Sequence, residues 1–267
     1  MNPLDRLKVA SKWMWAQGDY PAVARLLEPG AVALADICNI RPGMRVLDVA
    51  AGTGNFALVA AGRGAEVTAI DLTPHMIELG RARTEAAGVE IAWLEGDAEE
   101  LSLPDAGFDL VASVFGAMFA PRPDRVAAEM FRVCRDGGRV AMANYNHDGF
   151  LGSMADLFSR YTTPLPFELA SPFEWGERSV VEQRFRGLAS HLQIQMDTLT
   201  MSFEGVDAGF DFWERTNAPT IALRATVPAE RYANFQLDAK ELMTRLNVAA
   251  EGSLVLSSSY VRVLARR

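Results

Sequence analysis

Three aspartates that each follow a short apolar run are the residues in this sequence best suited to bind a ligand. Asp48 lies in VLDVAAGTGNFA (46 to 57), Asp71 ends EVTAID, and Asp97 lies in LEGDAEEL. In an open α/β sheet the ligand cleft lies beyond the carboxyl ends of the strands, so we expect the three carboxylates to converge there. Asp71 can accept hydrogen bonds from both hydroxyls of a ribose, and Asp97 can accept one from an adenine amino group.

The glycines that follow Asp48 leave three alternatives open. Gly52 to Ala57 satisfies the GxGxxG/A pattern. Such a turn serves a nucleotide pyrophosphate, a sulfonium cofactor or no ligand at all, because glycine only allows a sharp turn and a close approach. A carboxylate four residues before the first glycine repels a phosphate and attracts a cation. We therefore predict S-adenosylmethionine (SAM), which carries a sulfonium and an α-ammonium group, as the ligand.

Short β-branched segments alternate with helical patterns between residues 44 and 144, which predicts a mostly parallel, doubly wound sheet. Thr73, Pro74 and Gly88 are typical of the start and end of the helix after the second strand. The predicted strands are 45–50, 65–71, 89–96, 108–115, 139–145, 192–203 and 254–265. The predicted helices include 55–64, 124–136, 177–190, 207–217 and 229–247. We expect a single domain with an N-terminal helical cap (1–40), a ligand-binding core (41–148), pocket and lid elements (149–250) and a final strand (251–267).

Four sequence blocks within roughly residues 40 to 146 resemble the class I SAM-dependent methyltransferases. They are VLDVAAGTGNFAL, VTAIDLTPHMIELGRAR, LEGDAEELSLPDAGFDLVASVFGAMFAP and EMFRVCRDGGRVAMANY. The blocks look most like the small-molecule branch that includes ubiquinone/menaquinone-biosynthesis enzymes. The resemblance implies a Rossmann-like, seven-stranded α/β sheet with its last strand antiparallel, extended here by N-terminal helices and a helical lid insert.

The same resemblance implies a set of residues that bind the cofactor. Ala50 replaces the first glycine of the family's motif, which adds one methyl group near the cofactor. Phe115 stands where the family places the boundary between cofactor and acceptor. The implied set is Asp48, Ala50, Gly52, Gly54, Asp71, Leu72, Met76, Asp97, Ala98, Phe115 and Tyr20.

Methyl transfer from a sulfonium is an in-line displacement, so positioning and exclusion of water do most of the work and a base is optional. His147 is the candidate base, with Tyr145 beside it, because both lie near the carboxyl end of the fifth predicted strand. The alternative for His147 is a loop histidine that caps a turn. Tyr20 can fold over the cleft, whereas Trp13 and Met14 are better explained as an apolar helix face.

Two aromatic segments, 150–175 and 210–225, follow the core and are expected to build the acceptor pocket. They predict a small, apolar or aromatic acceptor, and they allow a homodimer interface instead. An NAD(P)-dependent oxidoreductase that uses the GxGxxA turn and a non-catalytic SAM-binding protein are the alternative functions.

The composition excludes several other classes. A net charge of −8 argues against nucleic acid as a partner, because phosphate binding needs a basic surface. Cys38 and Cys134 lie far apart with no metal-ligand spacing, so we expect no metal and no disulfide framework. The sequence contains no apolar run of about 18 residues and no leader cleavage pattern. We therefore expect a cytoplasmic protein without a membrane span.

Overall fold

A computed structural model of the chain describes residues 2–164, 166–250 and 252–267. Within these ranges, the strands are β1 (Arg45–Val49), β2 (Glu66–Asp71), β3 (Ile91–Glu95), β4 (Phe108–Val114), β5 (Cys134–Gly149), β6 (His191–Phe203) and β7 (Leu254–Arg266). The α-helices are α1 (Pro3–Trp15), α2 (Tyr20–Ile37), α3 (Asn55–Gly62), α4 (Pro74–Ala87), α5 (Pro123–Val133), α6 (Phe150–Tyr161), α7 (Arg178–Arg184), α8 (Val206–Thr216), α9 (Ala218–Thr226) and α10 (Ala229–Leu246).

The strands form one sheet in the order β3-β2-β1-β4-β5-β7-β6. Strands β1 to β5 pair in parallel, whereas β7 runs antiparallel to both β5 and β6. The predicted Rossmann-like, seven-stranded sheet with an antiparallel last strand is confirmed, and β7 lies inside the sheet between β5 and β6. Because the chain winds outward in opposite directions from β1, the crevice between β1 and β4 is where such a fold binds its ligand.

The helix between β2 and β3 begins and ends close to the predicted signals. Pro74 lies in the first turn of α4, and Gly88 ends the helix in the left-handed region at φ 66°. Thr73 occupies the N-cap position, but its side chain makes no capping hydrogen bond. The predicted capping role of the Thr73 hydroxyl is therefore wrong, although the predicted position of the helix is confirmed.

The fifth strand begins earlier than predicted, and the preceding helix is shorter. Helix α5 ends at Val133 instead of continuing to residue 136, because Cys134 already pairs with Phe108 of β4. Gly137 adopts φ 70°, and the β4–β5 register shifts before pairing resumes at Arg139. Gly137 and Gly138 thus form an irregularity within the longer strand β5.

A second hydrophobic cluster lies beside the main core. The main core surrounds the sheet, and the second cluster joins α6, α8, α9 and α10 to the carboxyl end of β6 and the start of β7. Helix α9 was not separated from its neighbours in the sequence. Helix α1, in contrast, has no buried residue. The segment predicted to form pocket and lid elements is therefore mostly helical, and the division of the chain at residues 40, 148 and 250 stays a prediction.

Cys38 and Cys134 are buried free thiols, and burial raises their pKa values to about 12 and about 11. Both behave as small apolar side chains, as predicted. None of the helices in the described ranges has a stretch long and apolar enough to cross a membrane.

Candidate active site

A cavity of about 240 Å³, the first cavity, lies beyond the carboxyl ends of β1, β2 and β4. Helix α1 covers it with residues at helical spacing, including Lys8, Ser11 and Trp15. The structure brings together here nine of the residues predicted to bind a cofactor: Tyr20, Ala50, Gly52, Asp71, Leu72, Met76, Asp97, Ala98 and Phe115. Asp48 and Gly54 do not line this cavity.

Asp71 is held firmly at the mouth of the glycine turn. Its side chain is 8% exposed, Oδ2 accepts a hydrogen bond from the Gly52 amide at 2.7 Å, and Oδ1 accepts one from the Thr73 amide at 2.8 Å. Burial raises the pKa of this carboxyl, although the two amides favour its ionised form. Each oxygen retains acceptor capacity toward the cavity.

The turn itself uses the left-handed region at three positions. Ala50, Gly52 and Gly54 have φ values of 52°, 54° and 85°. A Cβ on Gly54 would approach the Trp93 ring to 2.9 Å, so this glycine is required by packing and serves to start α3. Gly54 therefore supports the turn from behind instead of facing the ligand. Ala50 accepts a conformation that disfavours a Cβ by about 1–2 kcal/mol.

Asp48 supports the turn from below, which corrects the expectation that its carboxylate meets the other two in the cleft. Its side chain is 1% exposed, and Oδ2 accepts a hydrogen bond from the Ala57 amide at 3.0 Å in the first turn of α3. It lines a much smaller adjoining cavity with Tyr20 and Ala50. Burial raises the pKa of Asp48 to about 8, with a further contribution from the charge of Asp71.

Asp97 lies in an ion-pair cluster that the sequence did not reveal. The Lys8 ammonium of α1 bridges the carboxylates of Asp97 and Glu99, and Arg122 also pairs with Glu99. Burial lowers the pKa of Lys8, but its two carboxylate partners outweigh this effect and raise the pKa. These ion pairs, together with the contacts of the Trp15 ring with Tyr20 and Phe119, hold helix α1 over the first cavity.

A second cavity of about 190 Å³ adjoins the first. Aromatic and aliphatic side chains of α6, α8 and the loop before α7 line it, including Phe150, Met154 and Phe173. No charged side chain of the described residues lines this cavity. The two cavities share five lining residues: Met14, Trp15, Tyr20, Phe115 and Phe119.

Phe115 is the central member of this shared wall. It adopts φ 54°, a strained conformation for a bulky residue, and its ring lies parallel to that of Tyr145 at 4.0 Å between centroids. Tyr20 faces both cavities, and burial raises its pKa to about 12. Both residues thus stand between the two cavities.

The two candidate catalytic residues, Tyr145 and His147, lie in different surroundings. Tyr145 lines the second cavity and is 6% exposed, and burial raises its pKa well above the usual value. The His147 side chain is 47% exposed, stacks at a tilt on Phe173 and lies 3.9 Å from the Asp156 carboxylate. His147 lines neither cavity: it lies two residues beyond Tyr145, where the β5–β7 register shifts before Gly149, and its side chain stays at the surface beside Phe173 and Asp156. Its predicted role as a base has no support from this position.

The first cavity fits a cationic ligand without phosphate groups. Asp71 and Asp97 line it, and the ammonium of Lys8, which also lines it, is paired with Asp97 and Glu99. The Gly52 amide that a phosphate would need already donates to Asp71. A Cβ on Gly52 would come within 3.2 Å of the Tyr20 ring, so the glycine keeps this approach open. Leu72 and Met76 add an apolar wall suited to a flat base.

Comparison with known proteins agrees with this geometry. A methyltransferase domain family matches residues 46–138. The chain is 41% identical to the uncharacterized protein Rv1403c of Mycobacterium tuberculosis over 78% of this chain and 77% of that protein. It is 31% identical to the ubiquinone/menaquinone biosynthesis C-methyltransferase UbiE of Ectopseudomonas mendocina over 66% of this chain and 68% of the relative.

Solved structures show the same fold. The YcgJ protein of Bacillus subtilis matches with a TM-score of 0.59 at 21% identity, over 89% of this chain and 98% of that one. The oxidoreductase alternative has no support from these relatives, and the enzyme relatives disfavour a non-catalytic binding protein. The chain therefore belongs to the class I SAM-dependent methyltransferases, and SAM is its methyl donor.

Proposed function

We propose that the protein transfers the methyl group of SAM to a small, neutral, apolar or aromatic acceptor that binds in the second cavity. The observation that carries this proposal is the absence of any charged side chain among the described residues lining that cavity. An ionised acceptor would lose its hydration there without gaining a partner, at a cost of several kcal/mol or more.

The cofactor contacts follow from the first cavity. Asp71 binds the ribose hydroxyls, Asp97 accepts from the adenine amino group, and Leu72, Met76 and Ala98 pack on the base. When bound, SAM supplies a methyl group on a sulfonium whose leaving group is neutral. Asp48 adds a negative charge beneath the turn whenever it is ionised.

The residues that line both cavities position the acceptor against the methyl group. Phe115, Tyr20 and Trp15 exclude water from the path between the cavities, which strengthens the interactions inside. Tyr145 holds the acceptor, because its hydroxyl makes no hydrogen bond to another described residue and its ring is fixed by Phe115. Holding two reactants in line can contribute roughly 7–11 kcal/mol, so the transfer itself needs no dedicated base. The proton that the methylated ring carbon or hydroxyl then loses passes to solvent.

The similarity to a C-methyltransferase favours a ring carbon as the methylated atom. Flat walls suit such a ring: Phe115, Tyr145 and Phe173 follow one another with centroid distances of 4.0 and 6.4 Å. A phenolic oxygen is the second candidate for the methylated atom, since the Tyr145 hydroxyl can accept a hydrogen bond from the phenol.

Labelled SAM tests the acceptor class directly. The protein is incubated with SAM labelled in its methyl group and with matched phenols, quinols, alkylamines and fatty acids of similar size. We expect label in the neutral aromatic compounds and none in the ammonium or carboxylate compounds. Label confined to charged acceptors would contradict the proposal, and calorimetry with SAM alone checks that the donor site is intact.

A further inference from the structure

We propose that Asn217 selects the acceptor, by donating a hydrogen bond from its amide nitrogen to an oxygen atom in the body of an uncharged acceptor. This inference rests on the proposed function, because it names the chemical class of molecule that the second cavity takes. It assigns a specificity-determining role to a residue outside the methyltransferase motifs.

The orientation of the Asn217 amide is set by the start of α9. Asn217 is the N-cap of this helix, and its Oδ1 accepts hydrogen bonds from the Thr220 amide at 3.2 Å and from the Thr220 hydroxyl at 2.9 Å. A backbone N–H can only donate, so the oxygen of the side chain must be the atom that faces Thr220. The Nδ2 group is therefore directed away from the helix.

The amide nitrogen is the free polar atom of this side chain. Asn217 lines the second cavity, and its Nδ2 donates to no other described residue. An amide nitrogen has two donors and no acceptor, so it can bind only an oxygen or another acceptor atom. A ligand group that only donates hydrogen bonds, such as an ammonium, is rejected here.

Two other lining residues, Trp15 and Trp213, add indole N–H donors, and Trp213 Nε1 is buried without a partner among the described residues. The other side-chain oxygens in the cavity are the hydroxyls of Tyr20 and Tyr145, which can both donate and accept. Those two residues contact Phe115 or line both cavities, so they lie close to the donor side. Asn217 lines only the second cavity, and its contact is with the body of the acceptor and not with the atom that receives the methyl group.

The acceptor is thus an apolar molecule with a ketone, ether or hydroxyl oxygen separate from its methylated atom. Binding can be followed without turnover, because Trp15 and Trp213 line the second cavity and report on ligands by their fluorescence. Three probes of equal size test the inference: cyclohexyl methyl ketone, 1-cyclohexylethanol and 1-cyclohexylethylamine. The wild-type protein is expected to bind the ketone and the alcohol at least tenfold more tightly than the amine.

Two substitutions of Asn217 separate its role in acceptor selection from its role as the N-cap of α9. Asn217→Ser keeps an N-cap oxygen for Thr220 but removes the donor, so the ketone should bind about three- to tenfold more weakly with an unchanged Tm. Asn217→Asp also keeps the cap but presents a carboxylate, so the order should invert in favour of the amine. Asn234→Ser, an exposed change on α10, is the matched control and should leave all three affinities unchanged.

The outcomes decide the inference independently of the proposed function. Equal ketone affinity in the wild-type protein and in both Asn217 variants, or no binding of any probe, would overturn it. Calorimetry with SAM on the same preparations reports on the donor site, so a protein that binds SAM but shows no probe selectivity refutes only the role of Asn217. A protein that binds the probes selectively but not SAM refutes the proposed function instead.

Discussion

Replacing Asp48 with asparagine should change how the stability of the protein depends on pH. The carboxyl is 1% exposed, and burial raises its pKa from an ordinary value of 3.8 to about 8. In the unfolded chain it loses its proton near pH 3.8, whereas in the folded protein it keeps the proton until about pH 8. Between these values the folded state holds one more proton, so the free energy of unfolding falls as the pH rises.

The size of the effect follows from the gap between the two pKa values. Each pH unit between them contributes about 1.36 kcal/mol, which sums to roughly 6 kcal/mol at and above pH 8. Asparagine has no proton to lose, and its carbonyl oxygen can still accept from the Ala57 amide. We therefore expect the variant to gain stability relative to the wild-type protein as the pH increases from 5 to 8.

Urea denaturation of both proteins at pH 5, 6, 7 and 8 measures this difference. Asp109→Asn is the control, because the pKa of Asp109 is shifted in the opposite direction from that of Asp48. Burial opposes ionisation of Asp109, but hydrogen bonds from Arg135 and the Arg45 amide outweigh it and lower the pKa. Its stabilisation is complete above about pH 5 and is lost toward acid, so this variant should differ from wild type by a constant amount from pH 5 to 8. A constant difference for Asp48→Asn as well would refute the burial argument.

A bound cation near Asp48 should favour its ionised form, so SAM binding is expected to release protons near pH 7. Calorimetry of SAM binding in buffers with different ionisation enthalpies measures this release. Asp48→Asn should bind SAM with less proton release than the wild-type protein. Equal proton release in the two proteins would show that Asp48 does not sense the cofactor.

Three further predictions concern residues in or near the two cavities. Gly116→Ala places a Cβ 2.2 Å from the Ala50 carbonyl oxygen. We therefore expect the free energy of unfolding to fall by about 3 kcal/mol or more, and calorimetry should show a Tm decrease of several degrees. The control is Gly62→Ala, whose Cβ meets nothing within 4 Å and which should leave Tm unchanged or higher. Tyr145→Phe keeps the stacked ring but removes the hydroxyl, so turnover of labelled SAM should fall about two- to tenfold with SAM affinity unchanged. His147→Ala should change turnover less than twofold, and a tenfold loss would restore this residue as the base.

The sequence predicted the features that depend on neighbours along the chain. Alternating apolar segments, the turn after β1 and the signals of Pro74 and Gly88 all act over a few residues, so the parallel sheet and its ligand edge followed from them. Asp71 could be assigned to the cavity for the same reason, since the end of a parallel strand has a fixed place in such a sheet.

Contacts between distant segments were not predictable. The direction of the Asp48 side chain depends on where α3 begins its hydrogen bonding, and the Lys8 cluster depends on how α1 folds back 89 residues along the chain onto Asp97. His147 was misplaced because the β5–β7 register shifts between Tyr145 and Gly149, an irregularity that the sequence does not reveal. Asn217 carried no signal in the sequence beyond its suitability as an N-cap.

The sequence alone determined the methyl donor, because the carboxylates and glycines that indicate it lie in short motifs that depend only on residues close together in the chain. The second cavity was decided only by the tertiary structure. Its walls come from α1, α2, β5, α6 and α8, which meet in space through packing and not through any local pattern. Burial raises the pKa of Asp48, and the start of α9 sets the orientation of the Asn217 amide.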